Sequence, residues 1–334
     1  MSGMTRGDLS DQEWELIEPF LPLGERGPIP DLRKQFDGTM WRFRTGSPWR
    51  DVPERYGSWS TVYDRFRLWA VTGVFEALME GMIAEAAARG QVDLGLVSVD
   101  STVARAHHHA AGMALRRAAG RAGEGRRGRK KGARKGQNDL VEGPADEAAE
   151  AAREERRRIR RRRKARLGAA SLGRSRGGLT TKSHLAADRC CRPLSFVLTA
   201  GQAADGPRFT AVVERIKVRG PVGRPRTRPD AIAADKAYSS RATRAYLRRR
   251  QIQAVIPEKT DQAANRKKKG SRGGRPVSHD SDLYKERNTV ERCINKIKEW
   301  RGLATRYDKT PESYLAGLHL RGAILWARSL RPTT

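Results

Sequence analysis

The sequence predicts an α/β protein in which an all-helical N-terminal region precedes a mixed sheet covered by helices. Apolar residues recur at helical spacing over the first 90 residues, which predicts amphipathic helices there. From residue 94 onward, short apolar runs rich in β-branched residues alternate with helical segments. That alternation is typical of helices layered on a sheet.

The N-terminal region is predicted to hold four helices. Ser10 and Glu13 form a capping box at the start of the first. The others are predicted over residues 31–44, from Ser60, and over residues 74–88. Five of the seven tryptophans lie within the first 69 residues, which indicates a small aromatic core in this region.

Short helices joined by tight turns fit a helix-turn-helix-like DNA-binding domain, which we place at residues 1–90. In this interpretation, Arg65 and Arg67 face phosphate groups. The alternative that the sequence leaves open is a plain helical bundle whose arginines are merely solvated.

The second region is predicted to begin with a buried strand that ends at Asp100. The predicted segments, in chain order, are strand 94–99, strands 181–187 and 193–199, helix 207–218, strand 230–234, helix 240–250, strand 253–256, and helices 287–300 and 310–330. This order resembles a ribonuclease-H-like fold. We therefore expect a ribonuclease-H-like domain over residues 91–334, interrupted by a basic insert at about 113–176.

The charge of the chain indicates a polyanionic partner. The 334 residues include 68 Lys and Arg against 38 Asp and Glu, a formal net charge of +30. Cations on this scale neutralise phosphates and release counterions. The insert alone, residues 113–176, carries 22 Lys and Arg and 8 Asp and Glu, a net charge of +14.

The two halves of the insert differ in pattern. Its first part is rich in Gly, Lys and Arg and is predicted to be disordered. In residues 145–167 the acids come first and the bases last, which matches the polarity of a helix. With almost no apolar face, that helix would form fully only against DNA or another partner. A solvated, disordered charge run is the alternative.

Composition also argues against several classes of protein. The chain has no run of 18 apolar residues, so no membrane span is expected. The N-terminus lacks the apolar stretch of a signal peptide. Three cysteines, two of them adjacent, indicate neither a disulfide framework nor a structural zinc site. The phosphate-loop motif is absent, so no nucleotide cofactor is expected. We expect a cytoplasmic protein.

Two acids follow predicted strands in this otherwise basic chain. Pairing those strands would place Asp100 and Asp235 side by side, and Glu291 lies on a later helix that could pack across the sheet edge. Converging carboxylates repel one another unless a divalent metal lies between them, and oxygen ligands suit Mg²⁺ or Mn²⁺. Two such ions about 4 Å apart support phosphodiester displacement. A strand-end Asp is more often a turn former, so this pattern alone leaves both interpretations open.

Further residues share a helix face with Glu291. Tyr284, Arg287, Glu291 and Lys298 have the spacing Y-x2-R-x3-E-x6-K, which flanks the acid with two cations. A carboxylate that binds metal beside cations that bind phosphate is what a DNA-cleaving site needs. An ordinary ion pair on a solvated helix is the alternative.

These four residues match the signature of DDE transposases encoded by bacterial insertion sequences. Residues 287–310 (RNTVERCINKIKEWRGLATRYDKT) resemble the insertion sequence five family in particular. So do residues 99–112 (VDSTVARAHHHAAG), 173–187 (GRSRGGLTTKSHLAA) and 234–238 (ADKAY). The stretches DLSDQEWELIEPFLP and TGSPWRDVPERYGSWSTVYDRF resemble the amino-terminal domain of that family.

The resemblance implies a ribonuclease-H-like catalytic domain with a DDE triad and Mg²⁺ or Mn²⁺. Asp100 would bridge two metal ions, while Asp235 and Glu291 would each hold one. Arg287 and Lys298 would contact the DNA backbone near the scissile phosphate. Tyr284, the sixth residue that the resemblance assigns, would support the site or the DNA.

The resemblance also implies the function. The protein would bind the terminal inverted repeats of an insertion sequence and catalyse metal-dependent DNA cleavage and strand transfer into target DNA. We expect it to act as a homo-oligomer, a dimer, associated with the bacterial nucleoid. One alternative is a catalytically inactive basic DNA-binding protein derived from a transposase. Another is a nuclease of the same fold that cuts without joining.

Two other clusters stand out. The basic loop 266–276 is expected to contact DNA through four cations, namely Lys267, Lys268, Lys269 and Arg272. Three consecutive histidines, His107, His108 and His109, are not expected to hold one zinc ion, because consecutive residues on a helix point about 100° apart.

Overall fold

The computed structural model describes residues 7–22, 28–111, 144–175, 178–277 and 280–330. Its N-terminal part consists of four helices: α1 (Asp11–Ile17), α2 (Leu32–Thr45), α3 (Trp59–Thr72) and α4 (Val74–Ala88). The predicted capping box is present, because Ser10 and Glu13 each accept a hydrogen bond from the backbone amide of the other. Gly46 and Gly73 end α2 and α3 at positive φ, a conformation that costs glycine little.

Beyond these helices, the described residues include a seven-stranded mixed sheet. Its strands are β1 (Leu96–Ala106), β2 (Gly173–Ser175), β3 (Gly178–Ala187), β4 (Pro193–Ala200), β5 (Ala231–Ala234), β6 (Gln253–Val255) and β7 (Thr305–Arg306). β1 runs antiparallel to β3 and parallel to β5 and β7, and β6 extends the parallel part. β2 and β4 both pair with β3.

Within the described parts of the chain, nine further α-helices surround or extend from this sheet. They are α5 (His108–Ala111), α6 (Pro144–Ala169), α7 (Phe209–Glu214), α8 (Arg241–Arg249), α9 (Thr260–Lys268), α10 (Ser281–Lys285), α11 (Asn288–Lys298), α12 (Arg301–Ala304) and α13 (Pro311–Ser329). Among the described residues, no helix is both long and apolar enough to cross a membrane. The predicted α/β class, with a helical N-terminal region, is confirmed.

Several boundaries differ from the predicted ones. β1 does not stop at Asp100 but continues to Ala106, because the DSTVARA segment pairs with β3 along its whole length. The predicted basic loop is partly helical, since α9 extends to Lys268 and a short 3-10 helix follows at Gly270–Gly273. The basic helix of the insert is present as α6, and the first part of the insert lies outside the described residues.

One hydrophobic core joins the N-terminal helices to the sheet. α13 packs against α3 and α4 on one side and β4 on the other, and its Trp326 is fully buried. Near this core, Arg42 of α2 forms a buried ion pair with Asp308, which lies just before α13. A side chain on Gly302 of α12 would lie 2.7 Å from the carbonyl oxygen of Phe43, so the two parts touch backbone to backbone. The domain boundary near residue 90 stays a prediction.

Candidate active site

Asp100, within β1, and Asp235, directly after β5, lie side by side. Val99 of β1 pairs with Ala234 of β5 in a parallel ladder, so the next residue on each strand is an aspartate. β5 ends there because the Asp235 carboxylate accepts a hydrogen bond from the amide of Ala237 at 2.8 Å and caps a short 3-10 helix. The strand pairing thus brings these two predicted residues together.

Glu291 reaches the same region from α11. The buried residues Val290, Cys293, Ile294 and Ile297 form an apolar stripe on this helix that faces the sheet. The hydroxyl of Thr289 lies 3.1 Å from that of Ser98 and fixes the start of the helix over β1. Glu291 projects from the flank of the stripe, and its side chain is 47% exposed.

Arg287 connects two of the three acids. Its Nη1 lies 3.2 Å from Oδ2 of Asp100, and its Nη2 forms a short ion pair with Glu291. The arginine is held at the first turn of α11 partly because its neighbour Glu286 forms a two-bond ion pair with Arg189, at 2.7 and 2.8 Å. A cation therefore lies between Asp100 and Glu291.

The pKa values of Asp100 and Arg287 are shifted because these charged groups are partly buried close to one another. Burial raises the pKa of Asp100, and the nearby charge of Asp235 raises it further, whereas the Ser101 amide and Arg287 oppose the rise. Burial lowers the pKa of Arg287, but Glu291 and Asp100 outweigh that effect and the net shift is upward. The acids repel each other, and a cation relieves the repulsion.

The donor chemistry of this region fits divalent metal. Asp100, Asp235 and Glu291 offer only carboxylate oxygens, the ligands that Mg²⁺ and Mn²⁺ prefer. The position between Asp100 and Glu291 is taken by the Arg287 guanidinium, which marks it as a place where positive charge is stabilised. The Glu291 side chain is near the surface, whereas Arg287 is half-buried.

Tyr284 lies on α10 and Lys298 at the end of α11, so the four residues predicted to share one helix face lie on two helices separated by a turn. Tyr284 packs with Leu283 against a small apolar cluster made of Leu96, Ala231, Ala233 and Val255. Lys298 donates a hydrogen bond to the carbonyl oxygen of Val103 at 3.3 Å, and burial lowers its pKa. Both residues therefore contact the strands that carry Asp100 and Asp235.

The remaining predicted DNA contacts lie on two separate surfaces. On α3, Arg67 is exposed, but Arg65 is half-buried and donates a 3.3 Å hydrogen bond to Gln35 of α2. The second surface contains four exposed cations, Lys267, Lys268, Lys269 and Arg272. Gln262 of α9 bonds both the hydroxyl and the carbonyl of Ser239, which places this second surface beside the Asp235 end of β5.

A polar cluster behind Asp100 was not predicted from the sequence. Asp205 Oδ1 accepts hydrogen bonds from Ser101 Oγ at 2.8 Å and from Lys182 Nζ at 2.9 Å. His184 Nδ1 lies 3.6 Å from the same oxygen, and burial lowers the pKa of this histidine to about 4. Tyr238 is also buried here, which raises its pKa.

The histidine cluster departs from its expected geometry. The ring nitrogens of His107, His108 and His109 all lie within 4.8 Å of one another. They come together because His107 precedes α5, so the three rings do not follow helical spacing. Among the described residues this is the one group of His, Cys, Asp and Glu ligand atoms that is so compact, and it is exposed or half-buried.

Comparisons with known proteins find two matching families. Residues 93–316 match the family described as "Transposase DDE domain", and residues 9–79 match "Putative transposase of IS4/5 family". The first match includes Asp100, Asp235 and Glu291. No solved structure gave a significant match.

Similar proteins come from other bacteria. The chain is 30% identical over 150 residues to a "Putative transposase for insertion sequence element IS6501" of Brucella ovis, covering 45% of this chain and all of that protein. It is 29% identical over 159 residues to a "Putative transposase for insertion sequence element IS402" of Burkholderia cepacia, covering 47% of this chain and 67% of that one. It is 40% identical over 115 residues, 34% of this chain and 86% of the other, to "Uncharacterized protein y4sN" of Sinorhizobium fredii. Because the DDE domain match spans more than half of the sequence, the chain belongs to the family of transposases with a DDE domain.

Proposed function

We propose that this transposase binds the terminal inverted repeats of an insertion sequence, hydrolyses a phosphodiester bond there to free a 3′-hydroxyl, and joins that hydroxyl to target DNA. The observation that carries the proposal is how three acids are placed relative to one another. Asp100 and Asp235 follow paired residues of parallel strands, and Arg287 links Asp100 to Glu291.

Asp100, Asp235 and Glu291 would hold Mg²⁺ or Mn²⁺, which activates the attacking oxygen and stabilises the leaving oxygen of a phosphodiester. Arg287 and Lys298 would bind the backbone on either side of the scissile phosphate. Tyr284 would support the strands from which the aspartates project. No covalent protein–DNA bond is needed, because water and the 3′-hydroxyl are the nucleophiles.

Recognition of the element ends is assigned to the helices of residues 1–90, with Arg65 and Arg67 directed toward phosphate. The exposed cations of α9 and the following 3-10 helix would bind DNA beside the acids, since Gln262 anchors α9 next to β5. The division of the chain at about residue 90 is part of this proposal.

Substitution of the acids tests the site. Asp100→Asn, Asp235→Asn and Glu291→Gln should each abolish cleavage of a duplex carrying an element end in Mg²⁺, while the Kd for that duplex stays within about threefold. Asp230→Asn is the matched control, because this exposed aspartate lies at the other end of β5. Full activity in any of the three acid variants would refute the triad.

The products distinguish the alternatives. Joining of cut 3′ ends to a supercoiled plasmid is the expected result. Cleavage without joining would instead support a nuclease. Binding without cleavage in the unaltered protein would support an inactive derivative.

The oligomeric state is a separate part of the proposal. Two element ends must be cut and joined together, so one complex should contain at least two copies of the chain, and we expect a dimer. The mass of the complex with end duplexes in solution checks this. A single protein copy on each cleavage-competent complex would contradict it.

A further inference from the structure

α6 carries an unusual concentration of positive charge. Residues 156–166 hold nine Lys and Arg and no acid. The acids lie upstream, where Glu154 and Glu155 form ion pairs with Arg157 and Arg158 at 3.6 and 2.7 Å. The acids of the helix therefore neutralise only a small part of the positive charge in its C-terminal half.

Among the side chains of α6 that the structure describes, none forms a face turned toward the protein core. Every side chain described from residue 152 to 166 is exposed, and Ile159, an isolated apolar residue, is 54% exposed. Only beyond the helix do Ala170 and Leu172 become buried, and β2 then joins the sheet through β3. α6 is thus an arm attached to the sheet next to β3, the neighbour of the strand that carries Asp100.

The cations surround the helix axis. At about 100° per residue, Arg157, Arg160 and Lys164 share one face. A second set, spaced four residues apart, shares the roughly opposite face: Arg158, Arg162 and Arg166. A helix that rests on a single phosphate backbone would leave one of these faces in water.

We propose that α6 lies in the major groove of duplex DNA, with its two opposite cationic faces against the phosphate backbones that form the two walls of the groove. The major groove of B-form DNA is about 12 Å wide and admits one α-helix. Charge on both faces fits this position better than it fits the outer surface of a duplex. The inference rests on the proposed DNA-binding function and adds to it the position of the insert.

The experiment measures the salt dependence of binding to a random-sequence DNA duplex by the full chain, with Ca²⁺ replacing Mg²⁺. One variant is R157Q/R160Q/K164Q and the other is R158Q/R162Q/R166Q. Each removes three charges, and glutamine keeps the helix propensity close to that of arginine. Each should reduce the slope of log K against log salt by about 2.7, because each phosphate contact contributes about 0.9.

Equal losses from the two faces support the groove position. A loss confined to one face would place α6 on a single backbone, and no loss from either would show that it does not contact DNA; both results overturn the proposal. An A-form RNA duplex is the matched probe, because its major groove is too narrow for a helix. Equal two-face losses on that RNA would also overturn the proposal.

Failure of this proposal can be separated from failure of the catalytic one. The slope reports binding to random DNA and no cleavage, so it does not depend on whether Asp100, Asp235 and Glu291 are catalytic, and the exposed-residue control Asp230→Asn should leave it unchanged.

Discussion

Lys182 Nζ lies 2.9 Å from Oδ1 of Asp205, and the same oxygen accepts a hydrogen bond from Ser101 Oγ. Ser101 in turn donates its backbone amide to the Asp100 carboxylate at 2.7 Å. A continuous chain of polar contacts therefore runs from β3 through Asp205 to an acid of the proposed triad. This chain orients Asp100 from behind.

Asp205→Asn should slow cleavage by about 10- to 100-fold, the usual cost of removing a group that orients a metal ligand. Asparagine is neutral, so it cannot offer Lys182 and Ser101 the negatively charged oxygen that accepts both of their hydrogen bonds in the unaltered protein. The measurement is the cleavage rate at saturating DNA together with the Mn²⁺ concentration that gives half of the maximal rate, with Asp230→Asn as control. An unchanged rate and an unchanged Mn²⁺ requirement would rule out a positioning role.

Arg287→Gln should increase the affinity of the DNA-free protein for Mn²⁺. The guanidinium neutralises Asp100 and Glu291, so its removal leaves both acids available to a cation. Two unit charges at close range interact by about 1 kcal/mol in water. Removing the charge of Arg287 should therefore change the affinity for Mn²⁺ by roughly fivefold. Titration of free Mn²⁺ by electron paramagnetic resonance measures the change. Glu291→Gln should lower the affinity for Mn²⁺. Equal affinities in the unaltered protein, Arg287→Gln and Glu291→Gln would contradict this prediction.

Asp308→Ala should destabilise the fold by about 3–5 kcal/mol, because it leaves the charge of Arg42 buried and unpaired. Both side chains are at most 4% exposed. Replacing both partners, as in R42M/D308L, should recover most of the lost free energy of unfolding. The surface pair of Glu85 and Arg89 is the control, since Glu85→Ala should cost less than about 1 kcal/mol. Urea unfolding measures all four proteins, and similar losses for the two single substitutions would refute the prediction.

Asp37→Asn should make the fold more stable above pH 6. Burial raises the pKa of Asp37 from 3.8 to about 6, although the Leu9 amide donates to it. The folded protein thus holds a proton that the unfolded chain releases, so stability falls as pH rises between these values. At about 1.4 kcal/mol per pKa unit the loss approaches about 3 kcal/mol. Urea unfolding at pH 4 and pH 7 tests this, with equal stabilities expected at pH 4 and a more stable variant at pH 7.

The sequence predicted the strands of the sheet well because their apolar runs are short and bounded by turn residues. It placed Asp100 at a strand end, whereas β1 continues past it. Residues 100–103 are half-buried or exposed, so the continuous buried run stops although backbone pairing with β3 does not. The apolar pattern marks continuous burial, which ends before the strand does.

The cluster around Asp205 was not visible in the sequence for a different reason. Its hydrogen-bond partners are Lys182, 23 residues away, and Ser101, 104 residues away, and no local spacing links them. Pairing of β3 with β1 brings Lys182 and Ser101 onto neighbouring strands. Contacts of this kind follow from tertiary structure alone, whereas Arg287 and Glu291 show their grouping locally because they lie four residues apart at the start of α11.

The position of α13 has a consequence for the growing chain on the ribosome. The helices α1 to α4 are made early, yet the Trp326 side chain that completes their shared core is made only after every strand of the sheet. A product that stops before Pro311 would expose the apolar surfaces of α3 and α4 and would be a target for proteases. Premature termination should therefore yield degraded fragments rather than stable end-binding competitors of the full-length transposase.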